Sequence, residues 1–439
     1  MSLPSRTLAD SKSFHLVRPV VAHMDRAVRS LLGPMAFAGA NFLVAVLLQQ
    51  RVSASQFGLY AFSQVLIATG MSVSNGLFGG PLAVELRDGG HKIPMLVAFY
   101  RANAWFCVVA SCITFGALRL AGADFYENLV LIATSAAAWM RWFMRSVDLA
   151  LQRRQAAMLV DLVYALGLAS FIGVLAMLGR LEFGWILLAQ LGGTVASLAT
   201  SLRGVPEMSR MRSVPSTQLF RFSFAKHGQW SLIAIMATQL TVNAPTYLIT
   251  FILGASRFAP VALATLLFRP LGVVLTGLVQ YEQGRMARRF PSGAMAELDA
   301  DVRYLRVVVG LVWVTNVLAV GALLWFAPEY VFKEGYSPDE LALAIVAIAV
   351  IVLVRSVREP QLTALQAGGA FRQLTVATLL CVPVPLAISA SLLLLAPHSA
   401  AWSLSGPLIG EILGALLTRR VYRQLRRSNE LDQVQRERA

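Results

Sequence analysis

Apolar residues run through this chain in about a dozen long stretches, near 31–50, 58–81, 102–121, 128–146, 157–179, 184–202, 229–253, 259–280, 305–326, 340–357, 373–396 and 399–418. At 1.5 Å of rise per residue, each is long enough to cross a bilayer core of about 30 Å as a helix. The polar gaps between them alternate in charge. Arg51, Arg119, Arg180, Arg257 and Lys333 lie in one set of gaps, and the cationic loops and tails fall in the other. With the N-terminus inside, this is the positive-inside pattern. Both termini are then cytoplasmic, the number of spans is even, and twelve is the count that fits.

The gap at 203–228 divides the chain into two six-helix halves, 1–215 and 216–439, each with a basic cytoplasmic tail. Because six is even, both halves run in the same orientation, as in repeats related by an axis along the membrane normal. Residues 54–61, ASQFGLYA, align with 255–262, ASRFAPVA, at four positions. Each octet enters the second helix of its half. The expected fold is an all-α integral membrane protein of about twelve transmembrane helices, in two parallel-oriented six-helix bundles around a central cavity.

Composition agrees: a chain 57% hydrophobic and 14% charged has more apolar sequence than one soluble core can bury. The net charge of +15 comes from arginines spread over short loops on one face, which suits anionic lipid headgroups rather than nucleic acid. Residues 1–30 are polar and basic, and the first apolar run is long enough to stay as an anchor rather than a cleaved signal. Cys107, Cys112 and Cys381 read as buried thiols in apolar helices. The five histidines lack metal-ligand spacing, so no metal is expected. No G-x-x-x-x-G-K-[ST] loop is present, and no Ser, His and Asp set or carboxylate pair marks a reaction centre. The sequence predicts no enzyme and no cofactor.

The candidate chemistry is what the membrane makes expensive. Arg269 stands midway along the eighth stretch, where an arginine costs about 2.5–3.5 kcal/mol on insertion scales. Pro270 beside it removes a backbone donor and loosens the helix there. Two readings stay open: a cavity-facing cation for an anionic headgroup, or a structural ion pair or carbonyl cap. Glu411 in the twelfth stretch can pair with Arg269, carry a coupling ion, or sit in water. Asp161 opens the fifth stretch and Asp148 closes the fourth, where with Arg141 and Arg145 they would rim an inward cavity or end solvated helices. Arg141 and Arg145, four apart, share a helix face and have the spacing to hold a diphosphate. Asn41, Asn75, Asn103, Asn243 and Asn316 need partners in hydrocarbon, either on neighbouring helices or in a wet cavity. Pro383 and Pro385 break the eleventh stretch, and most tryptophans read as interface anchors. The arginine-dense segment after 418 fits an inner-leaflet surface helix, a partner contact or simple topogenic charge.

Several short runs also resemble one family. Gln50–Tyr60, QRVSASQFGLY, is similar to the LS-x-x-E-F-G-x-Y stretch of polysaccharide repeat-unit flippases, members of the multidrug, oligosaccharidyl-lipid and polysaccharide exporter superfamily. Residues 141–163, 326–340 and 358–373 resemble that family's fourth-to-fifth span junction and its loops before spans ten and eleven. Where many relatives carry an acidic residue early in span seven, this chain has Asn243. The resemblance implies a bacterial inner-membrane flippase that moves a polyprenyl-diphosphate-linked oligosaccharide outward, acting as a monomeric unit beside membrane lipids and polymerase or ligase proteins. A small-cation drug antiporter of the same superfamily and a non-transporting scaffold are the rival expectations.

Overall fold

A computed structural model of the chain describes residues 32–87, 92–201, 216–289, 295–332, 336–368, 370–396 and 399–438. The basic N-terminal tail and the half boundary at residue 215 lie outside the described residues. Every regular element among the described residues is helical.

The first half holds α1 (Leu32–Arg51), α2 (Ala54–Ser74), a π turn (Asn75–Gly79) running into α3 (Gly80–Arg87), α4 (Lys92–Leu120), α5 (Phe125–Ala150), α6 (Arg154–Met177) and α7 (Phe183–Ser201). A short α8 (Ser216–Ser223) and a second π turn (Phe224–Gly228) lead into α9 (Gln229–Leu253). The second half continues with α10 (Ala255–Leu267), α11 (Arg269–Arg289), α12 (Met295–Phe326), α13 (Pro338–Ala367), α14 (Phe371–Cys381), α15 (Pro383–Leu395) and α16 (Ser405–Arg438). Among the described residues ten helices are long and apolar enough to cross a membrane, or eleven when the pair α10–α11, bent by 46°, is taken as one broken span. The helix α5, 26 residues long, is less apolar because it carries Glu127, Arg141, Arg145 and Asp148. The chain is a multi-pass membrane protein.

Local chemistry explains several boundaries. Ser53 and Gln56 form a reciprocal capping box that starts α2. Ser337 caps α13, with Pro338 in its first turn and Asp339 and Glu340 favouring the helix N-terminus. The breaks expected at Pro270 and Pro383 are both present, between α10 and α11 and between α14 and α15.

The bundle's outer surface is apolar. Only 11% of the most apolar window of α12 is buried, and Leu120, Trp325, Phe326 and Leu395 lie exposed among many like them. Such a surface is stable only against lipid. Trp105, Trp185, Trp325 and Trp402 join it, as anchors would. Trp139 departs from that expectation. It is buried inside the first half, and its ring N–H donates to the Ile67 carbonyl at 3.0 Å. Cys107 and Cys381 are buried, whereas Cys112 is exposed on the outer surface, contrary to the buried thiol expected there.

The largest apolar cluster crosses between the halves, joining Phe57, Leu59 and Phe62 of α2 to Phe258, Val261 and Leu263 of α10. Those are the helices opened by the two similar octets. Close approach needs Gly58, because a Cβ there would run into the Ala255 carbonyl. At the other end of α2, its π turn meets α9, where Gly76 lies against Ser231 and Ile235. The helix α8 docks back on the first half, its Phe220 ring meeting Phe78 and Phe99 at centroid distances of 5.7 and 5.4 Å.

Candidate functional site

A cavity of about 570 Å³ lies between the halves, walled by α1 and α2 on one side and by α9, α10, α11, α13 and the start of α16 on the other. The bend between α10 and α11 sits in its wall. Phe268 falls between the two helices, its N–H reaching the Thr265 carbonyl at 3.3 Å, and Arg269 begins α11 with Pro270 next. A cation in the first turn of a helix is unfavourably placed for the helix dipole. Arg269 therefore stands in the lining of the cavity with no hydrogen bond or ion pair among the described residues. Tyr60 lines the same cavity. Of the readings open for Arg269, the structure shows that it borders this cavity rather than Glu411.

Glu411 does not pair with Arg269. Its carboxylate takes Arg355 Nε at 2.9 Å and Nη2 at 2.8 Å on Oε1, and Arg358 Nη1 at 2.9 Å on Oε2. Gly414, one turn along α16, leaves room for Arg358, since a Cβ there would collide with its guanidinium. Arg355 also lines the cavity, so a second cation borders it, held by a carboxylate set back from the wall. Arg355 and Arg358 went unmarked in the sequence because the positive-inside rule already accounts for arginines near a cytoplasmic span end. Their i, i+3 spacing facing an intramembrane glutamate was the available signal.

Asn243 lines the same cavity and heads a polar seam between α9 and α2. Its amide donates to Gln239 Oε1 at 2.7 Å, and Gln239 Nε2 donates to Ser72 Oγ at 3.0 Å. Thr69 and Tyr247 share a hydroxyl contact of 2.8 Å beside them. Thr69, Ser72, Gln239 and Tyr247 were not singled out from sequence, where scattered hydroxyls and amides carry no periodic signal.

The remaining candidates gather inside the first half. Arg141 Nη1 donates to Asp161 Oδ1 at 2.9 Å and Arg145 Nε to Oδ2 at 2.8 Å. The Arg141 side chain is 0% exposed and lies over the rings of Phe37 and Tyr164, 4.3 and 5.0 Å from their centroids. Arg141 and Asp161 are buried rather than at a solvated helix end, and one carboxylate takes a nitrogen from each guanidinium. Asn41 continues the cluster, accepting from Tyr164 at 2.8 Å and Gln190 at 3.3 Å. Asn75 stands apart: it is exposed at the start of the first π turn and outside the cavity lining. Among the described residues no group of His, Cys, Asp and Glu is placed to hold a metal ion.

Comparison with solved structures gives the fold a relative. An inward-facing multidrug-resistance MATE family transporter of the MOP superfamily superposes with a TM-score of 0.66 at 11% identity, over 92% of this chain and 99% of that one. A MATE structure in the bent conformation gives 0.58 at 13% identity, over 97% and 99%. An outward-facing MATE family transporter gives 0.58 at 14%, over 92% and 95%. No family model and no curated protein matches the sequence. The chain has the fold of MATE transporters, down to the full length of the bundle.

Proposed function

We propose that this chain is a transporter of the bacterial cytoplasmic membrane that moves a lipid-linked anionic headgroup, a polyprenyl-diphosphate oligosaccharide, between leaflets. One observation carries the reading. The cavity between the halves is bordered by Arg269 and Arg355, and no carboxylate is among its lining residues. Guanidinium groups suit phosphate oxygens, and a cationic wall offsets the cost of taking a diphosphate into low dielectric. Around those cations the lining is mostly apolar, with Phe57, Phe258, Leu266 and Ile351 among it, so little competes with the charge for the headgroup. The lipid tail stays in the bilayer while the two halves alternate.

A second reading, export of small cationic drugs, draws on the fold, since two structural neighbours are described as multidrug-resistance transporters. It requires acidic groups where substrate sits, and the cavity offers arginine instead.

The test is the leaflet position of lipid-linked repeat units in a host lacking the protein, with variants returned at equal expression. Wild-type protein should clear units that accumulate on the cytoplasmic face. Arg269→Ala should lose most of that activity, Arg269→Glu all of it, and Arg269→Lys should keep part. Full clearance by Arg269→Glu would overturn the site. Normal external display without the protein would overturn the function.

A further inference from the structure

Away from the central cavity, a smaller one of about 240 Å³ opens where the first turns of α12 meet the far part of α16. Two rows of side chains converge on it. Asp299, Arg303 and Arg306 share one face of α12 at i, i+4 and i+7, and Arg419, Tyr422, Arg423 and Arg426 repeat that spacing on α16. Tyr422 is buried in an apolar cluster with Leu298, Val302 and Leu305, which fixes the floor. Its hydroxyl donates to Asp299 Oδ1 at 2.7 Å, and Arg426 Nη1 meets Oδ2 at 3.0 Å. The one carboxylate in the lining is therefore engaged on both oxygens. Asp301, close by in sequence, turns to Arg285 at 2.7 Å.

Arg303, Arg306, Arg419 and Arg423 have no ion pair among the described residues. The Arg306 Nε is shut away from solvent without an acceptor. Four like charges around one small space repel each other, and three of them, Arg303, Arg419 and Arg423, are exposed and open to an incoming anion. We infer that this cavity binds the phosphate of an anionic membrane-lipid headgroup. Guanidinium forks match phosphate oxygens bidentately, and basic pockets between helices at the cytoplasmic face hold such headgroups. Arg419 directly follows the last apolar stretch, so the pocket sits at headgroup depth. Its volume is below the roughly 300–1,000 Å³ of sites for drug-sized ligands, which suits a headgroup phosphate. None of its lining residues borders the central cavity, so it is a separate site.

Native mass spectrometry of the full chain in detergent tests this, with phosphatidylglycerol, phosphatidylcholine and inorganic phosphate as probes. Phosphatidylglycerol should stay bound and phosphatidylcholine should not. Arg306→Gln with Arg423→Gln should weaken phosphatidylglycerol binding by about fivefold per arginine. The Arg306→Lys, Arg423→Lys pair should retain most of it, and Arg269→Ala, which leaves this pocket untouched, should bind as wild type. Equal retention of phosphatidylglycerol by the glutamine pair, or equal binding of phosphatidylcholine, would overturn the site. Occupancy by inorganic phosphate at the expense of phosphatidylglycerol would overturn the lipid as its source.

Discussion

Asp161 is the point on which two cations, the buried Arg141 and the partly exposed Arg145, depend. Arg141 and Arg145 both donate to it, and Arg141 keeps its Nε and Nη2 without hydrogen-bond acceptors, covered only by aromatic rings. Removing one partner of a buried pair leaves an uncompensated charge and typically costs about 3–5 kcal/mol. Asp161→Ala should therefore lower the thermal unfolding midpoint of the purified protein sharply. Arg145→Ala should lower it less, because Arg145 is partly exposed and the Arg141–Asp161 bond survives. Equal midpoints for wild type and Asp161→Ala would show that the cluster holds nothing together. The sequence pointed to all three residues by charge in apolar surroundings. It could not show their pairing, because the contacts join residues 16 and 20 apart on two separate helices, α5 and α6. Arg355 and Arg358 were hidden for the opposite reason: topology gave their charge a sufficient account.

At the scale of elements, what was legible followed from backbone chemistry. Arg269–Pro270 and Pro383 announced two broken helices, and both breaks occur where proline removes a donor. The π turns at Asn75–Gly79 and Phe224–Gly228 carry no such mark, since an inserted residue leaves composition unchanged. The octets 54–61 and 255–262 hinted at equivalent helices without showing that they touch. In the structure α2 and α10 form the tightest seam between the halves, with Gly58 against Ala255. A side chain at Gly58 should hold that seam open. In a background without the native cysteines, Phe57→Cys should react slowly with a membrane-impermeant thiol reagent added outside. The same cysteine should react several-fold faster when combined with Gly58→Leu. Equal rates in the two backgrounds would mean that α2 and α10 do not close this end in the membrane.

For the whole molecule, the run of long apolar stretches carried the class and the approximate number of helices, because the bilayer imposes both on the linear sequence. It carried nothing about which helices wall the cavity, a matter of how the two bundles lean together. That arrangement puts Arg269 and Arg355 beside the space and no acid, and the sign of the cavity has a consequence at the scale of the membrane. If the two halves alternate as proposed, the wall charges stay with the protein and the charge carried across is mostly the substrate's own. An inside-negative potential of 100 mV favours outward passage of an anion by about 2.3 kcal/mol per charge, roughly a fiftyfold bias for each. It opposes export of a cation by the same amount. Protein in vesicles with a potassium-diffusion potential should therefore move a diphosphate-linked lipid out of the negative compartment faster as the potential rises. Collapsing the potential should slow it. An exporter of cationic drugs without a compensating counter-ion would respond with the opposite sign. A rate that falls as the negative potential grows would reject the anionic substrate, whatever the fold resembles.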